Sequence, residues 1–456
     1  MTKILFFLTF GFLVSVILTP WMIRLAQGGI GLDAPDEGRK RQETPIPRIG
    51  GIPLMFSLVL GVIVILWMQP LRSFEWFPIL IGTSLMFGLG LWDDIRPLGA
   101  KKKLLGQIAI ASLVTSLGLG IEKFSMPSYG TIELGGWSVP VTILWLIAIP
   151  NIVNLIDGFD GLAGGLGLFM SLTLGLVGYH TEHFGLAWLA FTMAGALMGF
   201  LIFNFPPARI YLGDGGAYLI GFTIAVLSLS SSHKGAVTAA LLVTVVGLGL
   251  PILDTSFALA RRALRGFPLF HADDEHLHHR LEKMGMSKRR ILFGLYGICV
   301  ILSLIGLTIF WNQGGTLPIA IGLGVFFLMV LAVVRHFLRV RSWQDAHHQM
   351  KRLLSRRQAV QYTVLQAKLL GLEVDRCGSA QEFWRIMDQT MRRVGFVEEG
   401  ETENQIAIQI RQNGTQPWVL HAVLDEGTAT EWQRIAECFR PAYVKALAKW
   451  GSELRK

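Results

Sequence analysis

The chain has 456 residues, of which 52% are hydrophobic and 16% charged, with a mean hydropathy of +0.49. That composition excludes a water-soluble globular protein, and apolar runs long enough to cross a bilayer recur along the first three-quarters of the sequence. The net charge of +9 does not point to nucleic acid, because the basic residues are segregated between alternate loops rather than gathered in one patch.

Eleven spans are expected, near residues 4–26, 52–68, 77–92, 104–121, 139–156, 162–179, 185–203, 216–230, 236–260, 291–311 and 317–337. The sequence is thus read as an all-α polytopic membrane protein over residues 1–338. The first run has no small-residue cleavage site behind it and is read as a retained helix. Loops after odd-numbered spans carry Arg39, Lys40, Arg41, Arg48, Arg96, Lys101, Lys102, Lys103 and Arg209, and the loop after the ninth adds eight more basic residues. Loops after even-numbered spans carry only Arg72, Lys123 and Lys234. The positive-inside rule then puts the odd loops and the C-terminus in the cytoplasm, and the N-terminus outside. Cys299 falls in a span and Cys377 and Cys438 in the cytoplasmic tail, with no metal-type spacing.

Taken in order, the first loop (31–51) is rich in Pro, Gly, Arg and Lys, and reads as a basic anchor whose charges could also bind phosphate. The third span ends in Trp92-Asp93-Asp94, followed within ten residues by Lys101, Lys102 and Lys103. Adjacent carboxylates repel and stay ionised comfortably only beside a cation or lysine. Alternation over 131–134, followed by Gly135-Gly136, suggests an outer β-hairpin.

The fifth span runs into NIVNLIDGFDGLAGG (151–165), where Asn151, Asn154 and Asp157 share a helical face and Asp160 precedes a run of glycines. Acids and amides where a span meets water are costly unless they coordinate something. The seventh span ends in FNFPPARIYLGDGGAYLIGF (203–222), where Pro206-Pro207 stops the helix and Asp214 sits between two glycines that let an anion or a metal approach. Asp254 is a further acid at membrane depth. The longest basic loop carries His276, His278, His279 and Arg280; without a supporting Cys, imidazole contact with phosphate oxygens is preferred to zinc binding. His180, His183 and His233 are scattered and read as surface residues. Past 337, residues 339–372 read as an amphipathic helical linker and 373–456 as a small α+β domain. Its expected elements are helices over 380–394 and 428–449 and strands over 405–410 and 418–424, and its default role is regulation or binding of an unidentified partner.

Every cluster lies in an odd-numbered loop, whereas a channel or pump would bury acids mid-span along a pathway. Asp/Gly motifs without thiolates suit Mg²⁺, with Mn²⁺ as the alternative. Together they make a site where a phosphorylated soluble donor meets a phosphorylated lipid. A transporter or flippase for a lipid-linked or nucleotide sugar is the competing class.

The motifs Asp93-Asp94, NIVNLIDGFDGLAGG, FNFPPARIYLGDGGA and HLHHR resemble those of the polyprenyl-phosphate N-acetylhexosamine-1-phosphate transferases, in the same order. The resemblance implies transfer of a sugar 1-phosphate from a UDP-N-acetylhexosamine to polyprenyl phosphate with release of UMP, at the inner membrane of a bacterium, with the active site facing the cytoplasm. It implies Asp214 as the principal Mg²⁺ ligand, Asp93 as base or orienter of the lipid phosphate, and Asp94 in support of either. It also implies that Asn154, Asp157 and Asp160 hold the nucleotide and organise the metal, that Asn204 and Tyr211 hold the uridine, and that Lys101, Lys103, His276, His278 and His279 contact the pyrophosphate or sugar. Arg280 belongs to the same binding set, His278 to the catalytic one, and a homodimer is compatible with the family layout. The family's first loop often carries His after an Arg-Lys pair; here Arg41-Gln42 stands there, so no role is carried over. The segment 260–280 resembles the branch that uses UDP-N-acetylglucosamine for O-antigen, teichoic-acid or capsule synthesis. The peptidoglycan branch typically has Phe-Glu after its histidines, where this chain has Arg280-Leu281.

Overall fold

A computed structural model describes residues 1–26, 32–33, 45–68, 73–126, 130–230, 236–265, 281–282, 284–312, 324–325, 328, 343–397, 405–410, 418–423 and 429–450. The chain divides into two units, a helical bundle and a C-terminal unit.

The bundle contains α1 (Thr2–Ala26), α2 (Gly51–Met68), α3 (Ser73–Ile95), α4 (Ala100–Ser116), α5 (Ser138–Ile156), α6 (Leu162–His180), α7 (Phe184–Asn204), α8 (Gly213–Ser230), α9 (Ala236–Gly247), α10 (Gly249–Arg265) and α11 (Lys288–Trp311). Among the described residues, seven helices are long and apolar enough to cross a membrane, and eight if the pair Ala240–Gly247 and Gly249–Ala260, bent by 61°, counts as one span. The shortfall from eleven has local causes. The fourth expected span is α4, 17 residues long and opening on three lysines, and the eighth is α8, whose apolar stretch is Gly213–Leu229. The eleventh lies almost wholly outside the described residues.

The core is organised around α8, which packs against α2, α3, α5, α6 and α9. Its Tyr218 and Phe222 are buried. Two α8 hydroxyls donate inside the helix, Thr223 to the Leu219 carbonyl at 2.7 Å and Ser228 to that of Ala225 at 2.7 Å. Internal satisfaction of this kind is what an apolar surrounding demands. Helix α1 packs on α7 and α2, and α11 on α6 and α9.

Two glycines let α3 and α8 meet closely. A Cβ at Gly90 would lie 2.5 Å from the Asp214 carbonyl oxygen. Gly213 has φ +75°, and a Cβ there would lie 2.6 Å from Asp94 Oδ2. A short two-residue pairing joins β1 (Leu32–Asp33) to β2 (Ile46–Pro47). The hairpin expected near Gly135-Gly136 instead turns earlier, between β3 (Lys123–Met126) and β4 (Gly130–Glu133), because the alternating strand extends back to Gly130 and pairs with the preceding segment. Gly135–Trp137 is a 3₁₀ turn leading into α5.

The C-terminal unit comprises α12 (Trp343–Arg376), α13 (Ala380–Val394), β5 (Phe396–Val397), β6 (Gln405–Ile410), β7 (Trp418–Val423) and α14 (Ala429–Trp450). The strands form an antiparallel sheet in the order β5-β7-β6, with Ile408 paired to Leu420. Ser379 caps α13 by accepting from the Glu382 amide at 3.2 Å, while Glu382 Oε2 accepts from the Gly378 amide at 3.1 Å, a reciprocal box. Lys449 donates to the Val374 and Cys377 carbonyls at 2.8 and 2.9 Å, satisfying the end of α12. The expected boundary between linker and domain at 372/373 falls inside α12, whose Ala367, Leu370 and Val374 join Phe383, Leu420 and Phe439 in one core. Burial pushes the Cys377 thiol up and that of Cys438 to about 11, so both stay protonated at neutral pH.

Candidate active site

The polar motifs meet at one end of the bundle, where the C-termini of α3, α5 and α7 face the N-termini of α2, α4, α6 and α8. Lys103, on the first turn of α4, is the bridge. Its ammonium donates to Asp93 Oδ2 at 2.9 Å and to Asp214 Oδ2 at 2.9 Å. Burial would lower the pKa of Lys103, but the Asp214 and Asp93 carboxylates more than offset this and hold it above the ordinary lysine range. Asp93 Oδ1 in turn accepts from the Leu98 amide at 2.7 Å, so the carboxylate is fixed at both oxygens.

Asp94 caps α8. Its Oδ1 accepts from the Asp214 amide and its Oδ2 from the Gly215 amide, both at 2.9 Å. A carboxylate at a helix N-terminus answers both the orphan amides and the dipole. Asp94 therefore sets where Asp214 stands, with one lone pair on each oxygen still free of these bonds.

Asp157 follows the last turn of α5, within electrostatic reach of Arg48, Asp214, Asp94 and Asp160. Burial first, and the three neighbouring carboxylates second, raise its carboxyl well above the usual range against the pull of Arg48. Asp160 Oδ2 accepts from the Ala208 amide at 3.3 Å and lies 3.9 Å from Lys288 Nζ. The side chain of Asn154 is hydrogen-bonded to that of Tyr218 on α8.

Asn204, at the end of α7, is 4% exposed. Its Oδ1 accepts from the Gly161 amide at 3.0 Å and its Nδ2 donates to the Ile210 carbonyl at 2.8 Å. The amide thus braces the start of α6 against the segment leading to α8. Tyr211 is half-buried and its backbone holds the first loop, accepting from the Gly50 amide at 3.0 Å and donating to the Pro47 carbonyl at 2.8 Å. Lys101 is exposed. His276, His278, His279 and Arg280 lie outside the described residues.

Asp93, Asp94, Asp157, Asp160, Asp214, Asn154 and Lys103 are thus brought into one neighbourhood from α3, α4, α5, α8 and the turn between α5 and α6. Four contributors were not singled out from sequence. Arg48 signalled itself only as one of several loop arginines. Tyr218, Tyr296 and Gln107 gave no signal, because each acts through long-range packing: Tyr296 donates to the Gly161 carbonyl at 2.6 Å, and Gln107 pairs with Asn151, accepting from its Nδ2 at 2.8 Å. Asn151 is therefore used between helices rather than in the acid cluster. Among the described residues, no three His, Cys, Asp or Glu side chains close a metal site on their own.

Asn204→Ala should lower the melting temperature measured in detergent, because it orphans a buried N–H and a buried C=O at roughly 1–3 kcal/mol each. An unchanged melting curve would show that the brace carries no stability.

The sequence profile of glycosyl transferase family 4 matches residues 76–232. The chain is 34% identical over 293 residues to a probable undecaprenyl-phosphate N-acetylglucosaminyl 1-phosphate transferase of Bacillus subtilis, covering 64% of this chain and 81% of that one. It is 32% identical over 328 residues to a decaprenyl-phosphate N-acetylglucosaminephosphotransferase of Mycobacterium tuberculosis, covering 66% and 81%. It is also 31% identical over 327 residues to a phospho-N-acetylmuramoyl-pentapeptide-transferase of Levilactobacillus brevis, covering 67% and 98%.

Proposed function

This chain belongs to glycosyl transferase family 4, among the polyprenyl-phosphate N-acetylhexosamine-1-phosphate transferases, and on that premise we propose that it transfers N-acetylglucosamine 1-phosphate from UDP-N-acetylglucosamine to a polyprenyl phosphate, releasing UMP. The carrying observation is the Asp93–Lys103–Asp214 bridge, backed by Asp94, Asp157 and Asp160 at one end of a membrane bundle.

The donor set fits Mg²⁺. Five carboxylates gather around Lys103 and Arg48, and at Asp157 burial first, then the Asp214, Asp94 and Asp160 carboxylates, push the carboxyl toward the protonated form. Such a surplus of carboxylates favours a hard divalent cation bound by oxygen, and an incompletely closed ligand set leaves room for diphosphate oxygens. Asp214 would hold the ion, with Asp94 behind it and Asp157 beside it. When bound, the ion supplies charge neutralisation on the diphosphate and on the departing UMP.

The protein's own residues supply position and proton handling. Asp93, fixed by Leu98 and Lys103, takes the remaining proton of the lipid phosphate and aims its oxygen at the β-phosphorus of the donor. A P–O bond forms there as the bond to the bridging oxygen breaks, and that oxygen leaves with UMP. Lys103 and Arg48 keep positive charge beside the transferred phosphoryl group. The proposed step is direct attack; recovery of a phosphorylated Asp93 from enzyme given donor without lipid would overturn it. Beside this cluster, a small pocket lined by Ile156, Leu162, Leu166, Leu250, Pro251, Asp254, Leu295 and Cys299 begins one residue from Asp157. The basic residues that flank this end of the bundle favour a cytoplasmic active site in the inner membrane of a bacterium.

The match to a phospho-N-acetylmuramoyl-pentapeptide-transferase over 98% of that protein's length supports a second reading with a larger donor. A donor panel with purified chain, polyprenyl phosphate and Mg²⁺ separates them. Release of UMP from UDP-N-acetylglucosamine, abolished by chelation and restored by Mg²⁺, is the expected result. UMP release only from UDP-N-acetylmuramoyl-pentapeptide would favour the second reading, and no UMP from any donor would favour a transporter.

A further inference from the structure

The C-terminal unit leaves one apolar stripe uncovered. Helix α12 carries two stripes. Thr363, Ala367, Leu370 and Val374 are buried, the last three in the unit's own core. Tyr362, Leu365, Leu369 and Leu372 are 45%, 57%, 47% and 65% exposed. At about 100° per residue the second stripe lies roughly 150° around the helix from the first, so neither α13 nor α14 covers it. Helix α13 shows what an ordinary solvated face looks like here, with Gln381, Glu382, Arg385, Asp388 and Gln389 outward. Isolated exposed leucines need no explanation, but four large apolar side chains in register do.

The register is a heptad. Positions 362 and 369 repeat at seven residues, as do 365 and 372, giving the 3-4-3 spacing of a coiled-coil seam. Lys368 and Glu373 then occupy the flanking g and e positions. In a parallel pair, g of one helix faces e of the next heptad on the other, which sets Lys368 against Glu373 twice across a two-fold axis. An antiparallel pair would set like against like. Glu373 is also short of a partner: Oε1 accepts from Arg376 at 3.3 Å, while Oε2 is buried with no hydrogen bond among the described residues.

We propose that α12 pairs with α12 of a second copy of this chain as a short parallel coiled coil through Tyr362, Leu365, Leu369 and Leu372. Two heptads are a small seam for soluble chains, but confinement in one bilayer raises the effective concentration that holds them.

Leu372→Cys in the full chain, oxidised in membranes, tests this. The expected result is a disulfide-linked species of twice the mass, absent from the parent chain with its native cysteines and from Arg385→Cys on α13. Adding Lys368→Glu should slow cross-linking at least about tenfold, and Lys368→Glu with Glu373→Lys should restore it, which a folding defect would not do. Cross-linking no greater than that of Arg385→Cys would overturn the proposal, as would indifference to the charge reversal. Shielding of Leu372→Cys from a membrane-impermeant maleimide without any cross-link would overturn it in favour of a lipid-facing stripe.

Discussion

Asp214→Asn should lose at least about a thousandfold in turnover while folding and inserting as the parent chain does. The backbone contacts that place this residue do not involve its side chain: its amide donates to Asp94, which caps α8, and Gly213 and Gly215 keep their geometry. What changes is charge. The carboxylate that shares Lys103 with Asp93 becomes a neutral amide, a weak ligand for a hard cation and a hydrogen-bond acceptor but no ion-pair partner for an ammonium. The helix dipole at the α8 N-terminus would still face the substrate, so donor affinity should fall less than turnover. UMP release at saturating Mg²⁺, with a melting curve on the same sample, checks this. A rate near that of the parent would remove Asp214 from the metal site.

Lys103→Gln carries the second large effect, a loss of about a hundredfold or more in kcat. Its ammonium donates to both Asp93 and Asp214. Removing it takes away the cation that helps hold the Asp93 carboxyl below its ordinary range, so the proton affinity of Asp93 rises, and the residue assigned to orient the lipid phosphate is no longer fixed. Lys103→Arg should rescue only in part, because a planar guanidinium cannot replace a compact ammonium between two oxygens on different helices. The pH profile of kcat is the discriminating readout: it should shift to higher pH in Lys103→Gln. An unshifted profile with a full rate would show that the bridge is only structural. Lys102→Gln, the exposed neighbour with no assigned role, is the matched control.

The acids of this site were legible in sequence because their setting is chemically odd. Asp93-Asp94, Asp157, Asp160 and Asp214 all stand where apolar runs give way to glycine or lysine, and a chain that must fold in lipid does not place charge there idly. Lys103 was legible only as one of three consecutive lysines. Helical periodicity turns one of them inward, but which one depends on how α4 lies against α3 and α8. Asn204 was read for a substrate role that resemblance implied, and its bracing of Gly161 to Ile210 joins segments whose proximity sequence does not encode locally. Arg48 and Tyr218 were missed for the same reason.

The span count shows a different limit. Hydropathy marks apolar runs, yet α8 is a shorter apolar helix buried among its neighbours, and α9 and α10 form a bent pair. Burial in protein and burial in lipid leave the same trace in composition. In the C-terminal unit both main strands and all three helices were legible from alternation and amphipathic period. The two-residue strand Phe396–Val397 was not, because it exists only by pairing with Ala422 and His421 on β7.

The central claim is that the bond broken lies between the two phosphorus atoms of a nucleotide sugar, with the lipid phosphate as attacking group. Donor labelled with ³²P at the β position, incubated with purified chain, polyprenyl phosphate and Mg²⁺, reads this out directly. The account predicts that the label moves into the lipid fraction one for one with UMP formed, and that both cease on chelation. Label recovered in UDP while the sugar appears on lipid would mean that the glycosidic bond was cut instead, and would contradict it.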